Sequence, residues 1–405
     1  MLDNDMDISV SSGYKDYVWA VSLYRFGLKV FGLWPNNDNS AKRNLWTELQ
    51  IGSILFLLIF VTNVPMVHAT IRVGGDIVLV ISSLQMTIPL LIITIKYIIM
   101  QGKRSDISSV VNMMAEDWMA LKSDTERRVM IRRARTARLI MTMGYILAMV
   151  GCVVLLVPPY FGSEPVQTTN FMNRSKSLPL ETYTFYDTDK SPQFELTYLL
   201  HAITTLIGGI IETCIDLFLV LIVLHVSGQL EIFRYRLIRL ISCENFNEAL
   251  SDIVRKHLRL IRFVDTIESM YSLVMLILLL YFGVTFCLNG FLCTIILTDI
   301  ESDGAVVQAL YSSVATIFLL MNTFLFCFAG EIITEQSDAV FRAMYDLEWY
   351  NLESKNARNL ILLMIRASRC LHITAGKVIP LTMTTYCSVL KTSCGYISVL
   401  LAKRD

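Results

Sequence analysis

The run Ser269–Thr298, SMYSLVMLILLLYFGVTFCLNGFLCTIILT, contains no Lys, Arg, Asp or Glu. A helix that crosses the hydrocarbon layer needs about 20 mostly apolar residues, and this run exceeds that length. Six further stretches have the same character: Leu49–Ile71, Ile77–Ile95, Leu139–Val157, Leu196–Leu224, Ala305–Gly330 and Val378–Ala402. Only two of the seven carry charge, Glu212 and Asp216 in the fourth and Lys391 in the last. A central charge costs about 2.5–3.5 kcal/mol on insertion, and the remaining residues of each run are apolar enough to offset it. Composition agrees. The chain is 54% hydrophobic and 17% charged over 405 residues, with a mean hydropathy of +0.54. A soluble domain has about a quarter of its residues charged.

The positions of Lys and Arg set the expected orientation, because cytoplasmic loops carry the excess. With Lys96 counted to the second helix, the segments before the first run, between the second and third, between the fourth and fifth, and between the sixth and seventh hold five, nine, seven and six of them. The alternate segments together hold six, among them Arg174 and Lys403. The N-terminus is therefore expected in the cytoplasm and the C-terminus outside. The sequon Asn173-Arg174-Ser175 falls in the loop after the third run, on the expected outer side, which makes Asn173 a candidate glycosylation site.

Several classes are excluded. Residues 1–10 lack a basic region followed by an apolar one, so no cleaved secretory signal is expected. The nine cysteines lie mostly inside apolar runs, and none falls in the polar loop 161–193, so they are read as packing residues rather than a disulfide framework. No C-x-x-C, H-E-x-x-H or G-x-S-x-G occurs, and no enzyme, metal or cofactor is expected. Zero net charge suggests no nucleic-acid partner. A G-protein-coupled receptor has the opposite orientation, and its Asp/Glu-Arg-Tyr and Asn-Pro-x-x-Tyr motifs are missing. A transporter predicts an internal repeat with broken helices, and neither is present.

The polar segments also carry helical patterns. Tyr14–Pro35 is amphipathic and aromatic-rich, and reads as a helix lying at the inner interface. Leu360, Met364, Ala367 and Leu371 recur at steps of four, three and four, and Val340, Met344 and Leu347 repeat the spacing. Such stripes must bury, either within the subunit or against another one.

The last 60 residues carry a resemblance. Trp349-Tyr350, Arg366-Ala367, Thr374-Ala375-Gly376-Lys377 and Ser388-Val389-Leu390-Lys391-Thr392-Ser393 fall in the register of the C-terminal signature of insect odorant receptors. Tyr186-Asp187, Ser191-Pro192 and Phe194-Glu195-Leu196-Thr197-Tyr198 resemble the family's second extracellular loop, and His225–Leu230 (HVSGQL) resembles the inner end of its fourth helix. The resemblance extends from Gly32-Leu33-Trp34-Pro35 onward. The chain departs from it at Cys394-Gly395-Tyr396-Ile397, where the family has Tyr-Ser-Tyr-Phe, and it lacks the large cytoplasmic insertion of the shared co-receptor.

The resemblance implies an all-α integral membrane protein: seven transmembrane helices, a cytoplasmic helical anchor, and a tetrameric cation channel in the plasma membrane. It implies a ligand-specific subunit partnered by the co-receptor, gated by a small volatile apolar ligand and passing monovalent and divalent cations. A gustatory receptor channel of the same superfamily is the nearest alternative. The expected organisation is a cytoplasmic N-terminus (1–48), six spans with the ligand pocket (49–330), anchor helices (331–377), and a pore helix with the C-terminus (378–405). Ser388, Thr392, Tyr396, Val399 and Lys403 recur on one helical face and are the pore candidates, with Val399 at the family's hydrophobic gate position. The implied pocket lies in the outer half of the bundle. Its candidates are Val80, Leu84, Thr87, Tyr145, Met149, Cys152, His201, Thr205, Phe286, Tyr311 and Ala315. Lys391, an intramembrane lysine, is read either as a functional group or as a structural one, paired internally with Glu212 or Asp216 or serving a family-wide structural role.

Overall fold

The structure, a computed structural model of the chain, describes residues 2–35, 45–73, 77–121, 123–160, 178–180, 182–184, 186–188, 190–298 and 305–402. For residues 2–11, 77–78, 158–160, 242, 293–298, 305–311 and 400–402 it describes the backbone alone. Asn173 and Lys403 lie outside the described residues.

Eleven helices and one two-stranded hairpin make up the described chain. In chain order the helices are α1 (Leu2–Val30), α2 (Leu45–Phe56), α3 (Val64–Arg72), α4 (Ile77–Gly102), α5 (Arg104–Met119), α6 (Asp124–Tyr160), α7 (Gln193–Ile238), α8 (Phe246–Thr298), α9 (Ala305–Tyr345), α10 (Ser354–Ala367) and α11 (Met383–Ala402). β1 (Thr374–Ala375) pairs antiparallel with β2 (Ile379–Pro380). Six helical stretches among the described residues are long and apolar enough to cross a membrane, beginning at Leu45, Leu79, Asp124, Gln193, Phe246 and Ser312. We call the end of the bundle that carries α1, α5 and α10 the inner end, after the charge asymmetry.

The first stretch is not a uniform helix. α2 and α3 are joined by a π-helical turn, Leu57–Asn63. Pro65 follows at the start of α3, and a proline lacks the N–H that a regular ladder needs. Upstream, the Thr62 hydroxyl donates to the Leu58 carbonyl at 2.6 Å, filling the widened turn. The Pro65 carbonyl accepts the Tyr183 amide at 3.2 Å.

Four helices run well past their apolar runs, α6 among them, which starts 15 residues before Leu139. α7 continues from Leu224 to Ile238, α8 starts 23 residues before Ser269, and α9 continues beyond Gly330 to Tyr345. The extensions bury their own stripes, including Leu230, Phe233, Leu237, Ile253, Leu260 and Phe263. The expected boundary at residue 330 therefore falls inside one continuous helix. The stripes beyond it, Val340, Met344 and Leu347 with Leu360 and Ala367, bury within the subunit's own core. The face of α10 left outside is Ile361, Leu362 and Ile365, the last two more than 60% exposed.

α1 packs into this inner half. Tyr17, Ala20, Val21, Tyr24 and Leu28 are buried, and the Tyr24 hydroxyl donates to the Ala137 carbonyl at 2.6 Å. Trp19 and Phe26 remain on its outer face. The segment read as lying flat at the interface thus has one face sealed against α5, α6 and α7.

α11 begins at Met383, five residues after the expected Val378. Gly376 (φ +63°) and Lys377 (φ +61°) turn the chain at the tip of the hairpin, a left-handed conformation that costs glycine little. The Gly376 amide donates to the Ser272 carbonyl at 2.8 Å, and the Lys377 amide to the Ser272 hydroxyl at 2.9 Å. The hairpin therefore hangs on α8. Thr382 then caps α11, its hydroxyl accepting the Thr385 amide at 3.2 Å. Glu331 of α9 accepts the Met383 amide at 3.1 Å.

Candidate functional site

Three polar assemblies lie inside the otherwise apolar bundle. The first joins α4, α8 and α9. The Gln85 amide donates to Asn289 Oδ1 at 2.6 Å and to the Ser312 hydroxyl at 3.1 Å, and Asn289 donates to Thr316 at 2.9 Å. Gln85 and Asn289 are at least nine-tenths buried. Gln85 Oε1 and the Thr285 hydroxyl, one turn inward from Asn289, have no hydrogen-bond partner among the described residues. A buried polar atom left unpaired costs about 1–3 kcal/mol, so the seam is held at the expense of stability. Gln85→Leu removes both of its donated bonds and leaves Asn289 and Ser312 to repack. A loss of about 1–3 kcal/mol is expected, read as a lowered melting temperature in detergent. An unchanged melting temperature would show that the seam contributes nothing.

The second assembly is at the outer end. Tyr183 packs edge-on against His68 (4.6 Å between centroids) and lies under the Arg72 guanidinium (4.1 Å). Thr182 meets His201 Nε2 at 3.4 Å. The loop before α7 is thereby latched over α3 and α7. Thr70, Ser83 and Thr87 form a hydroxyl cluster below it, at 2.7 and 3.1 Å.

The third assembly is ionic. Lys96 of α4 is fully buried. Its ammonium donates to Glu212 Oε1 at 2.6 Å and to both oxygens of Asp216 at 2.9 and 3.0 Å. Asn322 of α9 donates to Asp216 at 3.2 Å, and the Tyr271 hydroxyl of α8 donates to the neighbouring Ile215 carbonyl at 2.8 Å. Four helices converge here. This corrects the expectation for Lys391: the two carboxylates of α7 are taken by Lys96, and Lys391 is exposed on α11. Lys96 sits just past the end of an apolar run, where a lysine normally snorkels to water, so its sequence position concealed its role.

The pocket candidates divide. Thr87 is buried and belongs to the hydroxyl cluster, and Val80 and Leu84 are half-buried on the same helix. His201 and Thr205 are buried on α7, and the Thr205 hydroxyl has no partner among the described residues. Cys152 is buried on α6 beside Gly209, one turn inward from Thr205. Phe286 packs on Phe282 at 5.7 Å, and Ala315 is half-buried on α9. Tyr145 stands apart, its hydroxyl 3.3 Å from Cys214 Sγ and pressed against Gly27 of α1, at the inner end. Met149 is 50% exposed on the outside of α6. Tyr311 lies on α9, with its side chain outside the described residues. A cleft of about 220 Å³ lies at the inner end, lined by Phe233, Leu260, Arg236 and Arg259 among others. Its arginines are already paired, Arg259 with Glu116 and Asp117 and Arg236 with Glu126.

α11 has two unlike faces. Tyr386 packs between Phe282 and Phe324, Ser393 is buried with its carbonyl facing Cys287 Sγ at 3.7 Å, and Ile397 fills the space over Gly290. The opposite face, with Ser388, Thr392, Tyr396 and Val399, is uncovered, and Tyr396 and Val399 are at least 60% exposed.

Comparison with known proteins gives one answer. A family profile described as "7tm Odorant receptor" matches residues 76–394. Odorant receptor 10 of Aedes albopictus is 28% identical over 218 residues, covering 52% of this chain and 56% of that one. The chain thus aligns with about half the length of that relative. Odorant receptor 13a of Drosophila melanogaster is 25% identical over 315 residues, 72% of each chain. The insect olfactory receptor OR5 from Machilis hrabei, solved in complex with eugenol, superposes with a TM-score of 0.79 at 16% identity, over 96% of this chain and 99% of that one. These relatives are receptors and not enzymes. With its profile match spanning most of the bundle, the chain belongs to the 7tm odorant receptor family.

Proposed function

We propose that the chain is a ligand-specific subunit of a non-selective cation channel, opened by a small, volatile, largely apolar odorant. It would work with the odorant receptor co-receptor in a heterotetramer of the plasma membrane, its N-terminus in the cytosol. The observation that carries this reading is the uncovered face of α11. A helix wedged on one side by Tyr386, Ser393 and Ile397 presents Ser388, Thr392, Tyr396 and Val399 to whatever lies beyond the subunit. In a ring of subunits that face lines a central path, α11 being the seventh span. Ser388 and Thr392 offer hydroxyls to ions and water, and Val399 forms a ring that stops ions by dewetting. The free apolar face of α10, Ile361, Leu362 and Ile365, is suited to hold subunits together below the membrane.

The ligand would bind in the outer half, where Val80, Leu84, Thr87, Cys152, His201 and Thr205 supply apolar walls with a few hydroxyls. The similar olfactory receptor was solved with eugenol, a molecule of the same small, mostly apolar kind. Binding opens the pore only to the extent that the open arrangement holds ligand more tightly. The test is current recorded with and without the co-receptor, for the native chain and for Val399→Ser. A constitutive leak in Val399→Ser, with native current dependent on the co-receptor, is expected. No leak and an unaltered odorant response would remove Val399 from the gate.

A further inference from the structure

α6 carries two chemistries on one face. Leu139, Met143 and Ile146, continuing to Val157, recur at helical spacing, and each is between 44% and 63% exposed. This is the side of α6 turned to acyl chains. The same stripe, followed toward the inner end, becomes Arg135, Arg132 and Arg128, at steps of four, three and four from Leu139. All three arginines are exposed. Arg132 shares Glu231 with Arg133 at 2.6 Å while staying 64% exposed, and Arg128 and Arg135 have no ion-pair partner among the described residues. α1 runs alongside. Asp16 there pairs with Arg127 at 2.5 Å, Trp19 stacks under Arg138 at 4.6 Å, and Lys15, Arg25 and Phe26 are exposed on its surface.

A helix rises 1.5 Å per residue, so Arg135 lies about 6 Å, Arg132 about 10 Å and Arg128 about 16 Å below Leu139. The headgroup layer is about 5–7 Å deep on each side. Arg135 falls inside it. Arg132 reaches back into it with its long side chain, and Arg128 sits within about a Debye length of its surface. We infer that the Arg128–Arg132–Arg135 column is a binding site for anionic phospholipid headgroups of the inner leaflet, with phosphatidylserine as the simplest occupant. Two observations favour this occupant. The column is continuous with the acyl-facing stripe, so a lipid lying on α6 brings its own headgroup to the arginines. Its charge is also uncompensated at two of three positions. The inference rests on the orientation adopted under the proposed function.

The test reconstitutes the full chain in vesicles with phosphatidylserine in both leaflets. Spin-labelled phosphatidylserine and phosphatidylcholine then measure the lipid held at the protein surface. The native chain is expected to prefer phosphatidylserine roughly three- to fivefold, with the preference shrinking as salt rises. Arg128→Gln/Arg132→Gln/Arg135→Gln should bring the ratio to near one. The pair Arg128→Gln/Arg135→Gln, which leaves the Glu231 bridge intact, should remove most of it. Arg255→Gln/Arg262→Gln/Arg358→Gln, equally exposed but off this face, should keep it. Equal binding of both lipids by the native chain, or a preference that survives the triple substitution, overturns the site. Orientation is read separately, by an epitope inserted after Cys243. Staining of intact cells would refute the orientation and leave the lipid ratio, measured with both leaflets alike, to stand or fall by itself.

Discussion

Lys96→Met is expected to leave almost no folded protein, while Lys96→Met/Glu212→Gln/Asp216→Asn regains most of it. The methionine matches the lysine stem in length, so packing changes little. What changes is charge. Glu212 and Asp216, one turn apart on α7, lose the cation that holds both of them at 2.6 to 3.0 Å. Among the described residues, Asn322 is then the side-chain donor left to Asp216. Breaking a buried ion pair from one side costs about 3–5 kcal/mol, comparable with the whole stability of many folded chains. Removing all three charges leaves neutral groups that can bond one another, and such replacements are often neutral or stabilising. The measurement is detergent-solubilised yield and melting temperature by fluorescence-detected gel filtration. If the single variant melts like the native chain, the triad does not hold α4, α7 and α9 together.

The contrast between Lys96 and Lys391 shows what was legible in the sequence. The rough position of the first six apolar runs could be read, because insertion energy is a local sum over about 20 residues. Family membership was legible as well, since the C-terminal signature is contiguous. Partners across the bundle were not. Lys96 and Asp216 are 120 residues apart, and nothing in either helix's own periodicity says which neighbour it faces. The same limit scattered the pocket candidates. Tyr145 and Cys152 are seven residues apart on α6 and both face α7, yet Tyr145 meets Cys214 and reaches Gly27 of α1 while Cys152 lies at Gly209. The inner extensions of α7 and α8 were hidden for a different reason. Their stripes are interrupted by Arg, Lys and Glu, so hydropathy ends where burial does not. The hairpin before α11 has strands of two residues, too short for any alternation to register.

The hairpin also sets the second large effect, at Gly330. A Cβ there would collide with the Leu381 carbonyl oxygen and come within 2.8 Å of Leu381 Cβ. The first obstacle is backbone, and that backbone is fixed from two sides. The Leu381 amide donates to the Ile373 carbonyl at 2.9 Å, and the next turn is tied to Glu331 through Met383. Gly330→Ala must therefore push the start of α11 away from α9. Overpacking of this kind costs about 1–3 kcal/mol, and the upper end is expected because no side chain can rotate aside. Gly283→Ala is the matched control. Gly283 is also within a long helix but has open space around its missing Cβ, and alanine there should be neutral or stabilising by up to about 1 kcal/mol. The functional consequence separates this site from a merely structural one. Under the proposed function, a movement of α9 would reach the foot of α11 through Gly330 and Glu331, and in chains that still fold Gly330→Ala should then alter the odorant concentration for half-maximal current as well as the amount of protein. Equal melting temperatures for Gly330→Ala and Gly283→Ala would mean that α9 and α11 do not meet there as closely as the backbone contact requires.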